Sequence, residues 1–391
     1  MTTEAPPVAE ASRSWRWHWV VRPLAIYAAS RAVSLVAFIL TVTVASVTGL
    51  DWVTGRPWPA PPAGQSPLLT ALTGWDGSWY VQIAHHGYGE QSGVMAFFPG
   101  YPMSIRLVAG VTGLSYGAAA VVAALAWGAV ASVLLWALSS ALGDRSFADR
   151  STALFAFFPG SFVFTMAYSE PMMLAASIGC LLALHHRRWV VAGLCGAVAT
   201  ATRPNALVLV ACGGWAAVMA IRQERDWKAL AAPGLSLAGV AAYFAFLWRR
   251  TGSFWAWFDV EQNLWKESFS PTAAFTRAGD AFDVLLGRGR GPDLNPVLPT
   301  LGLAFVVAVV VLLVRWRPPV PLVIYTVGIL VLAAGSGNLG LRPRFIATAF
   351  PLSQALARRM GTAAFSVTLG VFAALLGALT FVSVLTMLAT P

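Results

Sequence analysis

The strongest candidate for chemistry is Asp76, in the sequence Gly74-Trp75-Asp76-Gly77. It stands between a loop-like stretch and a run that places Trp79, Ile83 and His86 at helical spacing. A helix dipole favours a carboxylate in the first turn, and such a carboxylate at a membrane surface can act as a general base toward a hydroxyl group. The same side chain can simply cap the helix, and spacing alone leaves both readings open.

Glu170 follows in Tyr168-Ser169-Glu170-Pro171, at the junction of two apolar stretches. An ionisable residue at that depth in a membrane is a functional candidate, although Glu-Pro is also an ordinary helix start. Arg203 interrupts an apolar stretch in Thr202-Arg203-Pro204-Asn205, and Arg342 and Arg344 occur in Leu341-Arg342-Pro343-Arg344-Phe345. An arginine near a membrane is costly without a partner, and phosphate suits its planar fork; interfacial snorkelling is the plainer alternative. Arg31, inside an apolar run, is expected to be a structural partner of a neighbouring helix. His85 and His86 are adjacent, so on a helix they point about 100° apart and make a poor metal pair. The three cysteines, Cys180, Cys195 and Cys212, lie in apolar runs without metal-ligand spacing. No phosphate-binding glycine loop, dinucleotide fingerprint or nucleophile elbow occurs.

These residues must be positioned by membrane helices. Of 391 residues, 58% are hydrophobic and 11% charged, against about 25% charged in soluble domains. Apolar runs of roughly 18 residues recur from Leu24 to Leu388 without two-residue alternation, so they read as spanning helices. The expectation is an all-α polytopic membrane domain over 1–391 with about eleven spans: 22–48, 116–142, 151–168, 171–186, 189–202, 204–221, 229–250, 298–314, 319–335, 344–358 and 362–388. The net charge of +10 resides mostly in short connections, where it fits the positive-inside bias rather than nucleic acid.

Arginine clusters follow alternate spans, which puts the 1–21 segment in the cytoplasm, polar and unfolded to Ser14, and the C-terminus outside. Two long segments then face outward, 49–115 and 251–297, and loops of that length are usually functional. The first opens with a Pro-rich spacer, Pro57 to Pro67, before the amphipathic helix from Trp75. The second carries Phe254, Trp257, Phe258, Glu261, Leu264 and Trp265 on one helical face, a pattern that lies in the headgroup layer. One short repeat stands out: Ala96-Phe97-Phe98-Pro99-Gly100 recurs as Ala156-Phe157-Phe158-Pro159-Gly160, either by coincidence or as a shared re-entrant turn.

Several blocks can be read together. They are Trp75-Asp76-Gly77 with Tyr80, Ile83-Ala84, Gly87-Tyr88 and Glu90; Ala96-Phe97-Phe98-Pro99 with Tyr101-Pro102; Phe158-Pro159 with Ser161 and Tyr168-Ser169-Glu170-Pro171; Thr202-Arg203-Pro204-Asn205; and Arg344-Phe345 with Pro351. In these the chain resembles the second mannosyltransferase of glycosylphosphatidylinositol-anchor assembly and its actinobacterial relatives, within the glycosyltransferase C superfamily. The resemblance implies a glycosyltransferase C-like fold. It implies an inverting transfer of a sugar, mannose first, from a polyprenyl-phosphate donor to a lipid or glycolipid acceptor. The reaction would take place on the outer side of the plasma membrane, with no metal or other cofactor. Asp76 maps to the base. Arg203, Arg342 and Arg344 are then expected at the donor phosphate, and Glu90, Tyr168, Glu170, Asn205, Tyr80 and His86 at the substrates. Relatives often read Arg-x-Asn-Gly where this chain has Ala206 after Asn205, a departure at the phosphate-side turn. A transporter or flippase for lipid-linked glycans would share the spans and basic cavity, but it usually shows repeated halves; a non-catalytic subunit would tolerate loss of Asp76.

Overall fold

The computed structural model describes residues 8–53, 59–89, 92–288, 293–338 and 340–386. Glu90, Pro57 and the ends of the chain lie outside the described residues. Most of the described residues are helical. The first helix, α1 (Val8–Thr48), includes Val8–Ser14, which corrects the expectation of an unfolded segment to Ser14. The first long loop holds three helices, α2 (Pro67–Thr73), α3 (Asp76–His86) and α4 (Gly100–Thr112). The sequence had suggested only the second of these.

There follow α5 (Tyr116–Leu142), α6 (Arg145–Ala156), α7 (Glu170–His185), α8 (Trp189–Thr202) and α9 (Val208–Glu224). Next come α10 (Ala231–Ser236) and α11 (Ala238–Thr251), then α12 (Ala256–Asn263) and α13 (Ala273–Leu285) in the second loop. The chain ends with α14 (Val297–Trp316), α15 (Val320–Gly335), α16 (Pro343–Thr348), α17 (Pro351–Arg359) and α18 (Thr362–Leu385).

Among the described residues five helices are long and apolar enough to cross a membrane, and a sixth crossing is possible if the pair bent by 41° at Leu237 counts as one span. Glu170–His185, Trp189–Thr202 and Val320–Gly335 are apolar but shorter. The protein is therefore a multi-pass membrane protein, and the described helices do not fix the count of eleven.

Besides 229–250, which breaks at Leu237, two of the expected spans are not continuous helices. The 151–168 stretch is α6, ending at Ala156, followed by a 3-10 turn over Pro159–Phe164. The 344–358 stretch is two short helices, α16 and α17, parted before Pro351. Proline removes a backbone donor and clashes with the preceding turn, so each break falls beside one. Both segments still run between the same two ends of the bundle. At one end Arg22 pairs with Asp149 at 2.7 Å, Arg150 donates to the Met360 carbonyl, and Arg359 donates to the Arg315 carbonyl. At the other, the Ala167 amide donates to the Leu72 carbonyl, and Arg344 meets Asp76.

Burial follows this arrangement. α7, packed against α5 and α8, is buried along nearly its whole length, and so are both broken segments. α1, α14 and α18 expose valine and leucine along one side, as helices facing lipid do. The irregular backbone thus lies inside the bundle, where its polar groups find partners other than lipid.

Candidate active site

Asp76 opens α3, and Trp75 rather than Asp76 occupies the N-cap. Trp75 has φ of +57°, a left-handed conformation that costs a non-glycine residue roughly 1–2 kcal/mol. Its indole N–H donates to the Ser383 carbonyl on α18 at 2.9 Å, which pins the strained turn. Gly77 lies against Ala167, where a β-carbon would come within 3.2 Å of the Ala167 carbonyl oxygen. The Trp-Asp-Gly sequence thus has a local cause: an anchor, a presented carboxylate and a close contact.

The Asp76 carboxylate is held by Arg344, whose Nη1 donates to Oδ2 at 2.7 Å. The same Nη1 lies 3.9 Å from Oε1 of Glu170. Arg203 Nη1 in turn is 3.0 Å from that Glu170 oxygen and donates to the Ser169 hydroxyl at 3.0 Å. The Ser169 and Tyr80 hydroxyls share a 2.7 Å hydrogen bond. Arg344 also lies over the rings of Tyr168 and Phe345, at 5.4 and 4.5 Å from their centres. Glu170 is fully buried, while the Asp76 side chain keeps 25% of its exposure. A buried charge persists only when paired, and this chain of alternating charges supplies the pairing.

The network opens onto a cleft of about 1060 Å³ lined by Asp76, Tyr168, Arg342 and Arg344 on one side. The opposite wall comes from α13 and its flanks, with Arg277, Asp280, Asp283, Arg288 and Asp293. Trp75, Trp79 and Trp265 also line it. On and behind this inner wall three arginines, Arg203, Arg342 and Arg344, gather with two carboxylates, Asp76 and Glu170, a local excess of one positive charge in a cleft whose lining otherwise balances four arginines against four aspartates. That is the electrostatics of an anion site next to a carboxylate.

The structure therefore brings together Asp76, Arg344, Glu170, Arg203, Tyr80 and Tyr168, and puts Arg342 on the same cleft. The other expected residues lie elsewhere. Arg203 does not line the cleft but sits behind it on Glu170. His86 is exposed at the end of α3, hydrogen-bonded to His85 at 2.9 Å, and lines a different cavity. Asn205 lies in the 3-10 turn Pro204–Leu207 with its Oδ1 buried and unbonded among the described residues, and it is not on the cleft wall. Glu90 falls outside the described residues. The sequence reading missed Ser169 as the hydroxyl joining Arg203 to Tyr80, and α13 as a wall. Only the mixture of aspartates and arginines in 277–293 hinted at the latter.

The second loop docks on the first. Within 254–265 only Ala256–Asn263 is helical, so Phe254, Leu264 and Trp265 fall outside the expected helical face. Trp257 and Trp265 donate to the carbonyls of Ala96 and Gly93, and Trp265 packs edge-on to Trp79 with ring centres 5.6 Å apart. Phe254, Trp255 and Phe258 remain exposed.

The short repeat is explained by the arginines. A β-carbon on Gly160 would stand 2.1 Å from the Pro343 carbonyl oxygen and 2.5 Å from the Arg344 nitrogen. One on Gly100 would stand 2.7 Å from Thr202 Oγ1 and 2.8 Å from the Ala201 carbonyl oxygen. Each Phe-Phe-Pro-Gly copy thus receives the backbone of a helix break with an Arg-Pro step, 203–204 or 342–343. Arg31 secures the second copy: it donates to the carbonyls of Ala156 and Ser161 and to the hydroxyls of Ser161 and Thr165. It is the helix partner expected of it.

Comparison with known proteins follows the same segment. Residues 63–224 match the sequence family described as Mannosyltransferase (PIG-V). Over 153 residues the chain is 29% identical to GPI alpha-1,6-mannosyltransferase 2 of Cricetulus griseus, covering 37% of this chain. The matched part spans 31% of that relative's length. Among solved structures, the chain is similar to ArnT from Cupriavidus metallidurans bound to undecaprenyl phosphate, with TM-score 0.45 and 14% identity over 84% of this chain and 61% of that one. Over the segment that carries Asp76, Glu170 and Arg203, the chain resembles the PIG-V mannosyltransferases.

Proposed function

We propose that the protein is an inverting glycosyltransferase that moves a sugar, mannose first, from a polyprenyl phosphate to a lipid or glycolipid acceptor. The supporting observation is the Asp76–Arg344 pair at 2.7 Å on the wall of an arginine-lined cleft. The family match over 63–224 supports the mannosyl assignment.

In this reading the donor phosphate binds Arg342 and Arg344. A phosphate competes with Asp76 for the Arg344 guanidinium and loosens the carboxylate toward the acceptor. Asp76 takes the hydroxyl proton as the acceptor oxygen attacks the anomeric carbon. The bond from that carbon to the phosphate oxygen breaks, and its electron pair leaves with the phosphate. Arg342 and Arg344 stabilise that charge, which is often the largest catalytic contribution. Attack on the face opposite the leaving group inverts the anomeric centre. Arg203 acts through Glu170, keeping the inner carboxylate paired while Arg344 engages phosphate. Arginine placement in the loops supports a site on the outer face of the plasma membrane.

The test is transfer itself. Purified protein in nanodiscs receives polyprenyl-phosphate [14C]mannose and a lipid extract, and mass spectrometry compares lipids of cells with and without the gene. A labelled product and a missing mannosylated lipid in the null strain are expected. Movement of lipid-linked glycan across vesicles with no transfer defeats the enzyme reading in favour of a transporter.

A further inference from the structure

On another face of α3 from the Asp76 cleft lies a second cavity, of about 1100 Å³, between α2, α3, the 59–66 segment and the start of α5. The mechanism above does not use it. Its lining contains no aspartate, glutamate, lysine or arginine. The Asp76 cleft, by contrast, is lined by four aspartates and four arginines. In a chain of net charge +10 an uncharged cavity of this size is selective against ions, since a charged ligand would lose hydration without gaining a counter-charge.

Its polar edges are fixed in place. Gln65 donates both amide hydrogens, to Thr70 and Thr73, so its carbonyl oxygen is the group left to accept. His85 is hydrogen-bonded to His86 and packs on Tyr116 with ring centres 4.9 Å apart. At 3.6 residues per turn Ser78, Gln82 and His85 share a face of α3, and all three line the cavity. Amide, hydroxyl and imidazole edges beside aromatic faces suit a neutral polyol, with its many donors and acceptors and its apolar C–H surfaces. The cavity is also joined to the reaction centre: Trp79 lines both cavities, and Gly74 and Ser78, which line this one, bracket Asp76.

We propose that this groove holds an uncharged glycan portion of the acceptor, with the reacting hydroxyl passed across Trp79 to Asp76. The proposal rests on the glycosyltransferase reading for its purpose, but its test is one of binding. The full chain in phosphatidylcholine nanodiscs is probed by saturation-transfer NMR with mannobiose and with myo-inositol, for wild type, Gln82→Leu and Tyr116→Ala, with a thermal midpoint recorded for each. The expected result is saturation transfer to wild type, weakened about tenfold in a variant that keeps its midpoint, the size of one lost hydrogen bond to a pre-set partner. In transfer assays the same variants should raise the acceptor KM and leave the donor KM alone. No saturation transfer to wild type overturns the proposal. So does equal binding in all three proteins, binding lost in Arg342→Ala instead, or displacement of the sugar by short-chain phosphatidylglycerol. Groove binding without any sugar transfer sinks the enzyme reading and leaves the groove standing; transfer without groove binding does the reverse.

Discussion

Arg344 and Asp76 are 268 residues apart in the chain, yet the guanidinium of one donates to the carboxylate of the other at 2.7 Å. The pair can serve structure, catalysis or both, and substitutions separate these. Asp76→Asn keeps an oxygen that accepts from Arg344 but cannot take a proton. It should retain most thermal stability and lose about 10²–10⁴-fold in transfer, the range of a general base. Arg344→Gln leaves the half-buried Asp76 carboxylate without its closest partner and should cost about 1–3 kcal/mol of stability. In the double variant stability should recover part of that loss while transfer stays lost. Recovery of transfer in the double variant would make the pair structural only.

The paired glycines make a separate prediction about geometry. Gly160→Ala forces a methyl group onto the Pro343 carbonyl at 2.1 Å, a backbone contact with no flexible side chain to yield. Overpacking of this kind costs typically about 1–3 kcal/mol, and the displaced atoms here carry Arg344. Activity should therefore fall more than stability, through a raised donor KM. Gly100→Ala meets Thr202 and Ala201 and should act through Arg203 and Glu170. Gly214→Ala is the control: it lies in α9 with nothing within 4 Å of the added carbon. It should be neutral or stabilising by up to about 1 kcal/mol. Equal effects at all three positions would dissolve the link between the repeat and the arginines.

What could be read in the sequence divides along physical lines. Helix content and the long spans are written in continuous apolar runs, so α1, α5, α14 and α18 fall near their expected places. The two broken segments read as spans because hydropathy averages over Pro159 and Pro351 without registering the break. Asp76 could be singled out locally, from its place between a loop and an amphipathic helix. Its bond to Arg344 could not, because nothing in sequence spacing relates residues 268 apart. The residue-type argument that an arginine near lipid wants an anion held for Arg203, but the anion in the structure is Glu170. The Phe-Phe-Pro-Gly repeat was visible as a string, while its purpose depends on backbones brought close by tertiary packing.

Glu261, in the second loop, gives a pH prediction. Burial, with Glu267 and Asp76 nearby and Arg203 opposing, pushes its carboxyl from 4.5 up to about 7. The folded state then holds a proton that the unfolded chain releases at lower pH. Its contribution to stability is full below about pH 4.5 and is lost as pH rises through about 7. Glu261→Gln should flatten the fall in thermal midpoint over that window and raise the midpoint at pH 8. A midpoint profile unchanged from wild type would mean that Glu261 does not titrate in this range.

Topology decides whether a polyprenyl-phosphate donor is needed at all, because a site in the cytoplasm has nucleotide sugars within reach. Arg22, Arg150 and Arg359 gather at one end of the bundle, and Asp76 and Arg344 stand at the other. In the proposed orientation the positive-inside bias sets the arginine end in the cytoplasm. Single cysteines at exposed positions can check this in a background with Cys180, Cys195 and Cys212 replaced by alanine. Ala63 and Thr272 are exposed in the two long loops, and Ser146 and Gln223 are exposed beside the arginine clusters. A membrane-impermeant maleimide added to intact cells should label the first pair and not the second, and permeabilisation should bring in Ser146→Cys and Gln223→Cys. The opposite pattern would turn the cleft toward the cytoplasm. Asp76 and Arg344 would then face soluble donors, and the case for a lipid-phosphate sugar would lose its main physical reason.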